Sequence, residues 1–194
     1  NLHMVLLALY GRAVPLIDSF QLGLRLPNTA PVAACFTAFS PARHLEAWLS
    51  RAHESRGGYN EKLDQKLRVS VIAIRARGYE VTLKTRAEAE LTRELGRIHN
   101  AWSLTELEDV ANQYQRSLCD EHYHLDRIDP KARYEVSTIS VPVFASRDVP
   151  VMSFVAGSFD HLVSGAQIEE IASRLQSSAE RVTEMARRGH GSGD

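Results

Sequence analysis

The sequence predicts a mixed α/β chain of the α+β kind, an antiparallel sheet packed with helices, and three observations predict it. The first is a hairpin pattern. Tyr134, Val136, Thr138 and Ser140 alternate with Glu135, Ser137 and Ile139 in a run that ends at Phe144; Ala145 to Asp148 suit a turn, and a second β-rich run spans Val149 to Ala156. The second is a terminal helix. Gly157 and Ser158 break the β-rich run, and Ser164-x-x-Gln167 opens a long helix carrying Ile168, Ile171, Leu175, Val182 and Met185. The third is helical spacing of apolar residues in three signalled segments between Glu61 and Leu118.

Taken in order, Leu2 to Tyr10 and Val14 to Phe20 read as two strands joined at Gly11-Arg12. Leu22 to Phe39, LGLRLPNTAPVAACFTAF, is punctuated by Pro27 and Pro31 before Val32-Ala33-Ala34-Cys35, a small-residue start for a helix packed close to a sheet. Ser40-Pro41 supplies an N-cap and first-turn proline for a helix with Leu45, Trp48 and Leu49 on one face, ended by Gly57-Gly58. Leu63, Leu67, Val71 and Ile74 mark the next helix, Gly78 stops it, and Tyr79 to Leu83 continue as a strand. Thr85-x-x-Glu88 opens a helix with Leu91, Leu95 and Ile98; Ser103-x-x-Glu106 opens another with Leu104, Leu107, Val110, Ala111, Tyr114 and Leu118. Cys119 to Arg133 is a polar connector back to the hairpin, and the tail after Arg188 is expected to be disordered.

Composition limits the function classes. With 194 residues, 44% of them hydrophobic, one domain with its own core is expected. A net charge of -1 argues against a nucleic-acid surface on this chain, since phosphate binding leaves a basic stripe. Two distant cysteines, Cys35 and Cys119, fit a reducing, cytoplasmic setting better than a disulfide scaffold. The apolar opening from Leu2 to Tyr10 is too short to cross a bilayer, so no membrane association is expected. No nucleophile elbow, Walker loop, dinucleotide fingerprint or H-E-x-x-H motif occurs, and no cofactor is expected.

Three blocks, LGLRLPNTAPVAACFTAFSP, the helix ending in Arg77-Gly78-Tyr79, and VPVF through SFVAGSF with the helix from Ser164, resemble the C-terminal effector-binding domain of IclR-type bacterial transcription regulators. The resemblance implies a GAF-like curved antiparallel sheet over residues 1–188, binding a small metabolite between sheet and helices. It also implies a dimer or tetramer, with DNA bound only through an N-terminal winged helix-turn-helix outside this chain. One departure is the interval between Gly78 and Phe144, which holds roughly 40 residues more than the family's, here a helical insertion at about 85–118. It is expected to be a pocket lid or an oligomer contact.

The resemblance assigns the effector site. It implies an effector carboxylate held by backbone N–H groups at the helix after the Leu-Pro segment, here Val32 and Ala33, where a helix N-terminus favours an anion. Thr138 is the polar group of one strand. The family's hydroxyl positions on the return strand, counted back from Gly157, match Phe154 and Ala156, with Ser153 on the opposite face. Phe36, Met152 and Phe154 complete an apolar lining, which suits an aromatic acid better than a two-carbon one. Core filling accounts for the same three residues. A second reading places a metal or a hydrolytic centre on His122, His124 and Asp126, with a solvated connector as the plainer account of that stretch. A third makes the chain an interaction module with a collapsed pocket, in which the inserted helices bind a partner through Leu91, Leu95 and Ile98.

Overall fold

The computed structural model describes residues 3–5, 25–97, 104–144 and 149–190. Its elements run β1 (His3–Val5), β2 (Arg25–Pro27), α1 (Ala34–Ala38), α2 (Ala42–Ser55), α3 (Glu61–Arg77), β3 (Glu80–Leu83), α4 (Arg86–Arg97), α5 (Leu104–Asp120), β4 (Arg133–Tyr134), β5 (Val136–Phe144), β6 (Pro150–Gly157), β7 (Val163–Ser164) and α6 (Gly165–His190). The chain is mixed α/β with a small antiparallel sheet, as the sequence predicts. The expected strand from Val14 to Phe20, the turn from Ala145 to Asp148, the cap Ser103 and residues 191–194 lie outside the described residues.

β3, β5 and β6 form the sheet in that spatial order, all antiparallel. β4 pairs with β7, and β1 pairs with β2. Two cores result. One lies among helices, where Ala30, Ala34 and Ala38 let α1 approach Leu67, Val71 and Ile74 of α3, with Trp48 and Leu49 of α2 closing it. Trp48 buries its ring fully and donates its indole N–H to Val32 O at 2.8 Å. The other core joins Val81, Ile139, Val141 and Val143 to Ile168, Ala172 and Ala179 of α6. β5 is therefore buried on both faces over most of its length, not on alternate residues.

Helix ends follow local chemistry. Asn60 accepts from Leu63 N–H at 3.0 Å, and Gly78 takes the left-handed φ of 87° that ends α3. Ser164 and Gln167 form a reciprocal capping box on α6. α6 continues through Gly189 and His190, two residues beyond the expected stop. Ser40 does not cap α2; its hydroxyl turns back to Phe36 O at 2.9 Å, and Pro41 occupies the cap position. Thr85 caps α4 by accepting from Glu88 N–H at 3.1 Å. The Glu88 carboxylate completes no box there; Oε1 accepts from Ser137 Oγ at 2.9 Å. In its place Glu121, just past α5, accepts from Arg86 and Ala87 N–H at 2.8 and 2.9 Å.

The α4–α5 pair folds onto the rest of the described chain. Ala87, Leu91, Gln115 and Leu118 are buried, and Gln115 Nε2 donates to Ala30 O at 3.3 Å. The open stripe expected at Leu91 is thus closed, while the side chains of Leu95 and Ile98 lie outside the described residues. The connector after α5 is not simply solvated either. His124 bridges to Thr82, Leu83 N–H donates to Tyr123 O at 2.8 Å, and Leu125 N–H donates to Val81 O at 3.0 Å. This short segment covers the outer edge of β3.

Candidate functional site

Register decides which expected site residues share a surface. Thr138 stands opposite Gly157 and Thr82, whereas Phe154 stands opposite Val141, Met152 opposite Val143, and Ala156 opposite Ile139. Cross-strand partners point to the same side. Met152, Phe154 and Ala156 therefore face α6, and Thr138 faces away from them. The expected grouping of these four is corrected by one residue of register. Gly157, from which the positions were counted, itself pairs with Thr138, and a difference of one residue in register turns every side chain of a strand over.

The face with Thr138 carries a different set. Thr82 Oγ1 and Thr138 Oγ1 are 2.7 Å apart, and Thr138 N–H donates to Thr82 Oγ1 at 3.1 Å. Glu80 and Ser140 lie opposite one another on this face, and Ser153, Val155 and Gly157 share it from β6. Helix α1 lies across one side: Cys35 N–H donates to Glu80 Oε2 at 3.0 Å and its thiol reaches Ser140 O at 3.7 Å. Val155 is 55% exposed, Gly157 is exposed, and Thr138, Ser153 and Phe36 are half-buried. The result is a shelf with hydroxyls at its inner end and an apolar, open outer half.

The expected anion cradle is altered by the chain itself. Val32 and Ala33 precede α1 rather than belonging to it, and Ala33 has a φ of 66°. Glu80 supplies a carboxylate to the first turn, and its other oxygen meets His124 Nε2 at 3.0 Å. Both side chains are almost fully buried, at 5% and 3% residue exposure. An acidic residue inside a strand is the only sequence signal for this arrangement, and it does not identify the partner helix.

His124 is committed to Glu80, His122 is exposed, and Asp126 is half-buried, so the second reading's three residues do not converge. Among the described residues no group of three or more His, Cys, Asp and Glu gathers as a metal site. Burial, then the nearby Glu80 charge, pushes the Cys35 thiol well above its ordinary range; burial lifts Cys119 to about 11. Neither is an activated thiolate. Beside the shelf, burial raises the Glu88 carboxyl against the opposing Ser137 hydrogen bond, and its Oε2 is buried without a partner. Two clefts open on the α6 side instead. One of about 360 Å³ is lined by Phe154, Val182 and Met185, and one of about 790 Å³ lies between α6 and the end of β5.

No family, curated protein or solved structure matches the chain. Function therefore rests on the geometry of the site.

Proposed function

We propose that this chain is the small-molecule-sensing and oligomerising module of a transcription regulator of the IclR type, acting on DNA through a domain outside this chain. The observation that carries the reading is the shelf: α1 crosses the sheet face that bears Thr138, while Ser153, Val155 and Gly157 leave its outer half open. An effector laid there meets the Thr138 hydroxyl at one end and apolar surface at Val155. With Glu80 already bonded to the first turn of α1, a carboxylate on the effector is held nearer Thr138 than Cys35. No chemistry is done on the effector; it acts by binding two arrangements of the regulator with different affinity, for which a coupling of about 1–3 kcal/mol is typical.

Thermal unfolding against a panel of aromatic and aliphatic carboxylates tests this. A ligand at 100 times its Kd adds about 2.7 kcal/mol, a visible shift of midpoint. Aromatic acids are expected to raise the midpoint, and Thr138→Val and Val155→Asp to remove the rise. An unchanged midpoint with every acid, or a rise indifferent to both substitutions, sinks the reading.

A further inference from the structure

The cleft of about 790 Å³ lies at the end of β5, where α1, α3 and α6 meet, and nothing in the sensor reading uses it. Its floor is apolar. Phe39 from the end of α1 meets Phe144 of β5 edge to face, with ring centroids 5.7 Å apart, beside Val141 and Pro142. Its walls are charged in opposite senses. Arg75, near the C-terminal end of α3, lines one side, and α6 lines the other with Glu180, Glu184 and Arg187, two acids to one base. Arg75 uses Nε to hold Ala38 O, which fixes the guanidinium plane and leaves its terminal nitrogens in fork geometry for a carboxylate.

We propose that this cleft binds a small zwitterion with a large apolar side chain, a free aromatic amino acid being the simplest member of the class. The volume lies in the range of small-molecule pockets. An apolar floor between a positive wall and a wall of net negative charge leaves a singly charged ligand with an unmatched opposite charge. A zwitterion answers both walls while its side chain covers the rings of Phe39 and Phe144. The inference is independent of the shelf, because the two sites share no residue.

The test is a matched series on the full chain followed by calorimetry: phenylalanine, 3-phenylpropionate, which lacks the ammonium, and phenethylamine, which lacks the carboxylate. Phenylalanine is expected to bind about tenfold tighter than either analogue, the worth of one charged contact. Arg75→Gln should erase its advantage over phenethylamine, Glu180→Gln its advantage over phenylpropionate, and Thr138→Val should leave all three affinities unchanged. Equal affinity across the series, or none at millimolar concentration, overturns the proposal. Silence from all three ligands together with self-association that Phe144→Ala abolishes assigns the cleft to a second copy of the chain and overturns it as well.

Discussion

A β-carbon built on Gly78 lies 2.7 Å from Gln176 Nε2, and one on Gly165 lies 2.1 Å from Asp129 O. The two contacts differ in kind. Gln176 is a flexible side chain that swings away, so the loss in Gly78→Ala comes mainly from the left-handed backbone and should be about 1–2 kcal/mol. Asp129 O is main chain and cannot yield alone, so Gly165→Ala should cost more than Gly78→Ala in urea unfolding. Equal losses would refute the backbone account. Glu88 carries the clearest pH signature. Its folded carboxyl titrates above the ordinary 4.5, so within that window the native state holds a proton that the unfolded chain has released. Stability from this group therefore falls as pH rises through the window, and Glu88→Gln should flatten that part of the profile. Asp64 has the opposite sign. Burial raises it, but hydrogen bonds from Arg68 and His53 outweigh burial and hold it below the ordinary range, so its contribution is lost as pH falls through the folded value.

At the scale of elements, α4 and α5 are tied down at their junctions. Glu121 accepts two N–H groups of the first turn of α4, and Lys66 Nζ donates to Glu121 O, so one residue links α3, α4 and the end of α5. Glu121→Ala is expected to cost about 1 kcal/mol. Its mark should be local, with faster amide exchange in α4 and no change in α6. Loss of protection spread evenly over the chain would contradict the capping role. Much of this layer is legible in the sequence, since Thr85, Gly78 and the Ser164–Gln167 box are local signals read within four residues. Glu121 is not, because its targets stand 34 and 35 residues away.

For the whole molecule, the Glu80–His124 pair is a joint between the sheet and the helical core. Glu80 belongs to β3, His124 to the segment along its edge, and Cys35 N–H to α1. His124→Ala leaves a buried carboxylate oxygen without its partner and should cost about 1–3 kcal/mol, while His122→Ala, at an exposed site, should change stability by about 0.5 kcal/mol or less. Equal effects of the two substitutions in chemical denaturation would show that the pair does not join the two layers.

The sequence by itself determined the class of the chain, most helix boundaries, the strands of the hairpin and the α4–α5 pair, because caps, glycine stops and periodicity act over a few residues. Only the tertiary structure decided what those elements face. One residue of register separated Thr138 from Phe154, since side chains in a strand alternate and pairing alone sets which side each takes. The burial of Leu91, the occupation of the α1 first turn by Glu80 and the pairing of His124 all rest on contacts far apart in the chain. Such contacts are settled by packing, and no local pattern encodes them.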